Sequence, residues 1–282
     1  MELKHIAARA GRLSGFLREE MGMSAGLMNR LKWKSSILVN GQPVFTDHPV
    51  QAGDIICVLM DEPAPEYPAE DMELTILYED AHLLAVDKPA GMLIHPSRSC
   101  KTGTLANGVA GYYQRTGQNC AFHPVTRLDR DTFGIVLLTK NSHIHCLLQM
   151  AEVKKTYHAL TLGGPESDTG IINAPIGRRE LPSLLREVRA DGKESITEFE
   201  VLERGELCKL ALHPITGRTH QLRVHCAHMG WPIVGDPQYG GEKAMEYGWS
   251  YQALCAKRLE FDHPVTGERL ILESRMDAEP KK

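Results

Sequence analysis

Apolar residues recur at helical spacing in the first 35 residues of the chain. The stretches SGFLREEM and SAGLMNRLKWKSS place Phe16 and Leu17, and then Met28 and Leu31, on the inner faces of two short amphipathic helices. Ser24 is the candidate N-cap of the second helix. An Asn-Gly pair in SILVNGQPV stands between short apolar segments and predicts a β-hairpin. The stretch AGDIICVLM closes this unit as a strand.

Strand signals dominate the rest of the chain. They occur in LTILYED, HLLAVDKP, GMLIHP, GIVLLTK, KTYHALTL, SITEFEVLE, CKLALHPI and LILES. In KTYHALTL the alternation has period two, with Tyr157 and Ala159 on one side and His158 and Leu160 on the other. Two helices interleave with the strands, over SHIHCLLQMAE with Ser142 as cap and over RTHQLRVHCAHMG. Many strands with few helices, without a regular βα alternation, predict an α+β fold.

Charge is segregated along the chain, although the formal total is only -4. Residues 1–60 carry seven Lys and Arg against five Asp and Glu, and the second helix presents a compact basic edge. This edge is either a solvated helix face or a docking surface for RNA phosphates. Residues 61–73, DEPAPEYPAEDME, hold six acids, three prolines and no base, a composition typical of an extended linker. We therefore expect a module over residues 1–60, a linker over 61–73 and a second domain over 74–282.

The composition is that of an ordinary globular protein of 282 residues, with 42% hydrophobic and 24% charged residues. No run of 18 or more apolar residues predicts a membrane span, and the first residues, MELKHIAARAGRL, lack the apolar core of a secretory signal. Seven cysteines show no short repeated spacing, so we expect reduced and mostly buried thiols. These features together predict a cytoplasmic protein with no membrane partner.

A charged cluster, TRLDRDTFG, precedes the apolar run IVLLT directly. If it is extended, Arg127 and Asp129 lie on one face, where the guanidinium would keep the carboxylate ionised for chemistry. A charged turn with local ion pairs fits the same residues. Further along, Arg223 stands on a half-buried helix, and a buried arginine needs a carboxylate such as Asp129. A solvated polar face opposite Leu222 also fits that helix.

Five motifs in a fixed order carry a resemblance to a known family. They are DKPAGMLIHP, TRLDRDTFG, KKTYHAL, GRTHQLRVHCAHMGWPIVGDPQYGG and LCAKRLEFDHPVTGE, and they resemble the RluA-type pseudouridine synthases, which modify large RNAs. The resemblance covers roughly residues 74–274. It implies a mixed, mainly antiparallel central sheet flanked by helices, and isomerisation of uridines in structured rRNA or tRNA without cofactor or metal. Such enzymes build the site within one chain, which implies a monomer.

The family's pattern implies a role for each of five residues. Asp129 is the catalytic aspartate, Arg223 is its ion-pair partner, and Tyr157 is the ring that stacks near the flipped uracil. Arg127 is expected to reach into the space that the target uridine leaves, and Leu222 to form an apolar wall. The aspartate acts at the sugar, either by adding to C1′ or by removing the C2′ proton, and its sequence context does not separate these routes.

Two positions depart from the family's common pattern, which has His before RLD and Ser before the glycine. Thr126 and Phe133 occupy these positions here, and the bulk of Phe133 is expected to reshape the floor of the site. The front of the chain, from about Arg12 to Met60, resembles the small S4-like RNA-binding module in its order of helix, helix, hairpin and strand. The resemblance implies docking on structured RNA through shape and phosphate contacts.

Two other classes of function fit parts of the sequence. A metal-dependent hydrolase would use the His and Cys residues of SHIHC and VHCAH, in which His225 and His228 share a helix face. The closed spacings of zinc sites are absent, however. A binding or assembly factor would keep the S4-like module without catalysis, whereas the aspartate, tyrosine and arginine are all in place here. Asp87, Lys88 and His95 in DKPAGMLIHPS are typical of structural positions.

Overall fold

The computed structural model describes residues 2–32, 34, 36–60, 67–180, 183 and 185–280. Within these residues, a four-stranded sheet near the N-terminus is followed by a ten-stranded sheet, and two further strand pairs lie outside both. Almost all neighbouring strands run antiparallel, with one parallel pair in the large sheet of the described chain. The predicted α+β fold with a mixed, mainly antiparallel sheet is therefore confirmed. No helix in this part of the chain combines the length and apolarity needed to cross a membrane.

The N-terminal elements follow the predicted order of helix, helix, hairpin and strand. They are β1 (Glu2–Ile6), β2 (Gly11–Arg12), α1 (Leu13–Gly15), a π-helix (Phe16–Glu20), α2 (Ala25–Lys32), β3 (Ile37–Val39), β4 (Gln42–Pro43), β5 (Pro49–Val50) and β6 (Ile55–Leu59). The hairpin is confirmed, since Asn40 and Gly41 have the positive φ values, 50° and 79°, of a tight turn between β3 and β4. The cap is confirmed too, because Ser24 Oγ accepts a hydrogen bond from Leu27 N at 3.2 Å. Strand β1, which pairs with β6, has no counterpart among the predicted elements.

The second part of the chain builds the large sheet and four helices. Its strands are β7 (Thr75–Glu79), β8 (Leu83–Lys88), β9 (His123–Pro124), β10 (Phe133–Thr139), β11 (Lys154–Leu162), β12 (Thr169–Asn173), β13 (Ile176–Arg178), β14 (Arg186–Val188), β15 (Ile196–Glu203), β16 (Leu207–Pro214), β17 (Leu254–Asp262) and β18 (Arg269–Glu273). The helices are α3 (Leu105–Arg115), α4 (Ser142–Met150), α5 (Gln221–His228) and α6 (Gly241–Ala244). The sheet has the order β12-β15-β16-β11-β17-β10-β8-β7, with β18 beside β17 and β9 beside β10, whereas β13 and β14 form a separate hairpin.

Most of the predicted strands are present, but the strand predicted over GMLIHP is wrong. Residues 91–96 form turns and bends instead of a strand. The buried Lys88 Nζ donates to the carbonyl oxygens of Pro89 and Met92, and the backbone bends around this side chain to bring both oxygens within reach. The predicted cap of α4 is also wrong by one residue. Asn141 caps this helix, and its side chain accepts a hydrogen bond from Ile144 N at 2.9 Å.

Helix α3 is absent from the predicted elements because two glycines interrupt its pattern. The structure explains them: a Cβ at Gly111 would lie 1.9 Å from the carbonyl oxygen of Glu70, and a Cβ at Gly108 would touch Met72. Residues 67–73 of the predicted linker run directly along this helix, and Glu70 N donates to Asn107 O at 3.1 Å. Residues 61–66 of that linker lie outside the described residues.

A continuous hydrophobic cluster joins the N-terminal elements to the large sheet. It includes Leu17 on the N-terminal side and Ile135 of β10 and Leu148 of α4 on the other. His143 of α4 adds a polar contact, with Nε2 2.9 Å from the carbonyl oxygen of Met21. The N-terminal unit is thus packed on one face of the large sheet and α4.

The parallel pair of strands β10 and β17 borders a cavity whose wall includes Thr132, just before β10, and Leu254 of β17. Gly134 in β10 has φ 107°, and a Cβ there would lie 2.4 Å from the carbonyl oxygen of Ala256 in β17. Only glycine permits this approach of the two backbones. The approach sets where the loop before β10 meets the middle of the sheet.

Candidate active site

A cavity of about 1000 Å³ opens at the middle of the large sheet. Its wall is built by the loop before β10, by β11 and by the segment that leads from β16 into α5. All five residues for which the family pattern implies a role line this cavity: Arg127, Asp129, Tyr157, Leu222 and Arg223. Residues nearly 100 positions apart in sequence therefore meet at one site.

Asp129 lies in the loop between β9 and β10, with 30% of its side chain exposed. Two hydrogen bonds attach this loop to the neighbouring strands. Thr126 Oγ1 accepts from Leu137 N of β10 at 3.0 Å, and Lys88 Nζ of β8 donates to Arg130 O at 2.9 Å. Lys88 is fully buried, and its bonds to three carbonyl oxygens use all three hydrogens of the ammonium form. Burial lowers the pKa of Lys88 to about 8. The sequence predicts only a structural position for Lys88, and in the structure this side chain holds the loop that carries Asp129.

The arginine that pairs with Asp129 is Arg223, as its buried position on a helix predicts. Its Nη1 donates to Asp129 Oδ2 at 3.0 Å. Arg127 lies two positions before Asp129 and is exposed. Both residues are described in the structure, and no ion pair joins them. The charged stretch is therefore a loop whose carboxylate is held from across the cavity.

Arg223 is held in turn by Asp236, to which no sequence motif assigns a role in the site. Nε donates to Asp236 Oδ2 at 2.7 Å and Nη2 to Oδ1 at 2.8 Å, while Nη2 also donates to Gln238 Oε1 at 2.9 Å. The guanidinium carbon lies 4.9 Å from the centre of the Tyr239 ring. Burial by itself would lower the pKa of Arg223, but the bonds to Asp236 and the charges of both carboxylates raise it. The arginine is thus always charged and fixed in direction.

Asp236 itself is fully buried, and its Oδ1 also accepts from the backbone N of Gln238 and of Tyr239, at 2.9 and 3.1 Å. The loop sequence GDPQYGG contains a signal for such a turn-forming aspartate, since Asp commonly bonds to backbone groups two or three residues later. Nothing local in the sequence indicates that its second partner is an arginine on the preceding helix. Its position depends on the tertiary fold.

Tyr157 enters the cavity from strand β11. The pairing of β11 with β17 shifts register between Thr156 and Tyr157, and such an irregularity re-aims the side chains next to it. Burial, and then the charge of Asp129, raise the pKa of the Tyr157 hydroxyl, so it stays protonated at neutral pH. Leu222, only 7% exposed, supplies apolar wall at the start of α5.

The two departures from the family pattern have structural explanations. Thr126 is buried and forms the hydrogen bond that anchors the loop. Phe133 lies in the core, not on the cavity wall: its ring stacks on Trp249 with centroids 6.0 Å apart and meets Tyr251 edge-on. Phe133 belongs to the same hydrophobic cluster as Tyr157 and Leu222, which line the cavity, so an effect of its bulk on the floor of the site would act through these neighbours and stays a prediction.

The histidines considered as metal ligands make other contacts. His225 is fully buried, and its ring nitrogens lie 2.9 Å from Thr197 Oγ1 and 3.0 Å from the carbonyl oxygen of Ala174. No group of three or more His, Cys, Asp or Glu in the described chain is arranged to hold a metal ion. Both ring nitrogens of His225 thus have partners within the protein.

All seven cysteines are free thiols, and four of them are buried.

The charge of the cavity wall is opposite to that of the whole chain. Of the five Lys, Arg, Asp and Glu residues that line it, four are cations: Arg127, Lys155, Arg218 and Arg223. The single acid is Asp129. A local cationic surface attracts phosphates even when the total charge is mildly negative. The site therefore combines one carboxylate with surroundings suited to a polyanion.

Comparisons with known proteins agree on one family. The family model described as RNA pseudouridylate synthase matches residues 82–228. An uncharacterised RNA pseudouridine synthase of Bacillus subtilis is 41% identical over 247 residues, which cover 84% of this chain and 81% of that protein. The ribosomal large subunit pseudouridine synthase D of Pseudomonas aeruginosa is 38% identical, over 74% of this chain and 70% of that protein.

A longer alignment and a solved structure extend these matches. The ribosomal large subunit pseudouridine synthase C of Vibrio cholerae is 31% identical over 288 residues, or 95% of this chain and 90% of that protein. Among solved structures, the human RNA pseudouridylate synthase domain containing 1 superposes with a TM-score of 0.61 at 27% identity. That match covers 74% of this chain and 86% of the human chain.

Proposed function

This chain belongs to the RNA pseudouridylate synthase family and is an isomerase that acts on RNA, and we propose that it converts uridines of structured ribosomal RNA to pseudouridine by means of Asp129. The observation that carries the proposal is the position of this carboxylate. It lies on the wall of a cavity of about 1000 Å³, and a buried arginine binds only one of its oxygens.

The class of RNA is inferred from the relatives. Two of them, from Pseudomonas aeruginosa and Vibrio cholerae, are named as ribosomal large subunit pseudouridine synthases. The cationic wall of the cavity supports a polyanionic substrate. Transfer RNA is the other structured RNA to be tested, because the cavity geometry suits a flipped uridine from either RNA.

Entry of the target requires the base to leave its stack. A flipped nucleotide costs a few kcal/mol of stacking and pairing, which the protein must offset with new contacts. Arg127 is exposed at the rim and is the side chain that would fill the vacated position in the RNA. The ring of Tyr157 and the apolar side chain of Leu222 would support the uracil inside the cavity.

The reaction breaks the N1–C1′ bond and joins C5 to C1′. The hydrogen on C5 leaves as a proton and N1 gains one, so the reaction is redox-neutral and needs no group donor. Asp129 acts at the sugar, either by adding to C1′ or by removing the C2′ proton. Its Oδ2 is held by Arg223, and within the described residues no hydrogen bond reaches Oδ1. We assign Oδ1 as the oxygen that faces the sugar.

Arg223 has two functions in this scheme. It keeps Asp129 ionised after the RNA has displaced water, since an opposite charge at 3.0 Å favours the charged form. Its own position is secured by Asp236, so the carboxylate meets a fixed partner. A pre-oriented charge costs little reorganisation during the reaction.

The chain is proposed to divide into an S4-like module over residues 1–60, a linker over 61–73 and a catalytic domain over 74–282, with residues 67–73 of the linker packed along α3. The order of the N-terminal elements supports this division. All five implied site residues come from one chain, which supports action as a monomer. We place the enzyme in the cytoplasm, in line with ribosomal RNA as substrate.

The proposal is tested by release of tritium from RNA labelled at uridine C5, with ribosomal and transfer RNA assayed separately. Wild type is expected to release tritium from ribosomal RNA, and Asp129→Asn to release none. Asp131→Asn is the matched control: this neighbouring carboxylate pairs with the exposed Arg130 and should leave the rate near wild type. Tight RNA binding by wild type without any release would contradict the proposal and favour a binding factor.

A further inference from the structure

His220, just before α5, has an unusual backbone conformation. Its φ and ψ are 57° and 20°, in the left-handed region, and Asn40 is the one other described non-glycine residue with positive φ. Asn40 lies in a hairpin turn that favours this conformation, whereas His220 borders the cavity. A strained residue persists only where its surroundings hold it, and such residues concentrate at functional sites.

Two hydrogen bonds define the protonation of the His220 ring. Its Nδ1 lies 2.9 Å from the Tyr239 hydroxyl, and the same hydroxyl accepts a bond from the backbone N of Arg186 at 3.0 Å. The hydroxyl therefore donates its own hydrogen to Nδ1, because the reverse arrangement would leave that hydrogen without a protein acceptor among the described residues. The neutral ring then carries its proton on Nε2.

That Nε2–H faces the carboxylate of Asp129. It lies 3.9 Å from Oδ2, the oxygen that Arg223 Nη1 already binds at 3.0 Å. Burial lowers the pKa of His220, while the charges of Asp129 and Asp236 oppose the shift and those of Arg223 and Arg186 add to it. The ring is therefore neutral at neutral pH, with a fixed donor directed at the reacting group.

We propose that His220 is a positioning residue for the isomerisation: together with Arg223 it binds Oδ2 of Asp129, so that Oδ1 is presented to the sugar. This inference rests on the proposed function. Hydrogen bonds in a free active site are often long and shorten when substrate enters and water leaves. The gap of 3.9 Å is expected to close in this way on RNA binding. Tyr239 takes part indirectly, by holding the tautomer that has its proton on Nε2.

Two variants test the inference without breaking the fold. His220→Asn keeps a residue that tolerates the left-handed region but is too short to place a donor at Asp129. Tyr239→Phe keeps the ring next to Arg223 and removes only the hydroxyl. The matched controls are His228→Asn, on the exposed end of the same helix, and Tyr247→Phe, whose hydroxyl binds Glu206.

The measurement is the single-turnover rate of tritium release, with the RNA dissociation constant determined in parallel. His220→Asn is expected to slow release roughly 10- to 100-fold, the range for a lost hydrogen bond to a charged group, with RNA affinity unchanged. Tyr239→Phe should have a smaller effect. The double variant should be no slower than His220→Asn alone, since Tyr239 acts through the histidine.

The pH profile separates positioning from a merely structural role. The Tyr239 hydroxyl donates to the neutral ring and so favours it, and its removal must raise the pKa of His220. A second proton on His220 keeps the Nε2 donor but adds a positive charge next to Asp129, which lowers the basicity of the carboxylate and should slow the reaction. In Tyr239→Phe the fall in rate at acidic pH should therefore begin at a higher pH than in wild type. In His220→Asn that part of the profile should disappear. A structural role would lower the melting temperature or the RNA affinity without moving the profile.

The outcomes distinguish this inference from the proposed function. If wild type releases tritium and both variants release it at the wild-type rate, the role of His220 is overturned and the proposed function stands. If wild type releases none from either RNA, the proposed function fails and the inference fails with it. Slow release by the variants with intact RNA binding and a shifted pH profile supports the assignment.

Discussion

Replacing Arg223 by methionine should separate the two functions of this arginine. Methionine has a similar length and no charge, so it leaves little cavity, while it removes every hydrogen bond that Arg223 donates to Asp129 and Asp236. Asp129 is 30% exposed and can be hydrated, whereas Asp236 is fully buried. The stability cost should therefore arise at Asp236 and the activity cost at Asp129.

The size of the stability change follows from that burial. Removing one partner of a buried ion pair leaves an uncompensated charge and costs about 3–5 kcal/mol. In a protein of this size each kcal/mol lowers the melting temperature by about 2–4 °C, so Arg223→Met should melt roughly 6–20 °C below wild type. Arg258→Met is the control, because Arg258 forms partly exposed ion pairs with Glu260 and Glu273, which contribute far less.

A second substitution should rescue stability but not activity. In Arg223→Met with Asp236→Asn the buried charge is gone, and the Asn oxygen can still accept from the backbone of Gln238 and Tyr239. Urea unfolding should then recover at least half of the lost free energy, while tritium release stays absent because Asp129 has lost its partner. Wild-type turnover by Arg223→Met, or rescue of release by the second change, would refute the assigned role. A stability loss below about 1 kcal/mol in the single variant would refute the energetic reasoning.

Three further results are expected. Arg127→Ala should leave the melting temperature unchanged but slow tritium release at least tenfold, if its side chain offsets a base-flipping cost of a few kcal/mol, and Arg130→Ala in the same loop should not. Gly134→Ala should lower the free energy of unfolding by more than about 1 kcal/mol, because φ is 107° and its Cβ would lie 2.4 Å from a carbonyl oxygen of β17; a smaller change in urea unfolding would contradict this contact. Burial would raise the pKa of Asp277, but the hydrogen bond with His158 and other contacts lower it, so its carboxylate stabilises the fold above its ordinary pKa and less as pH falls below about 4. Asp277→Asn should therefore be less stable than wild type at pH 7 and approach it in acid, and a constant difference across pH would contradict the linkage.

Local patterns account for most of the strands and for one of the turns. Strands β8, β10, β11 and β16 have the apolar or alternating runs that predict them, and the Asn-Gly hairpin follows from the residues of its turn. Helix α3 could not be predicted in this way. Its glycines, at positions 108 and 111, lower helix propensity, and the reason for them is a segment that crosses the helix from 40 residues earlier in the chain.

Some residues of the candidate site can also be predicted from the sequence, whereas others cannot. The chemistry-bearing residues Asp129 and Arg223, and their pairing, are predicted from the family pattern and from the rule that a buried arginine needs a carboxylate. Asp236 and the left-handed His220 are not predicted, because what makes each of them important is a contact with a distant residue. Phe133 shows the converse: its bulk is visible in the sequence, but only its neighbours Trp249 and Tyr251 show that it lies in the core.

The sequence alone therefore determined the family and the α+β class, and it singled out Asp129 as the aspartate proposed to react. These depend on residue type, order and periodicity, which are local properties of the chain. The tertiary structure decided which oxygen of Asp129 is held, what holds Arg223, and that the cavity wall is cationic in a chain of net charge -4. Hydrogen bonds and charge interactions act over a few ångströms, so their partners exist only after folding has brought distant segments together.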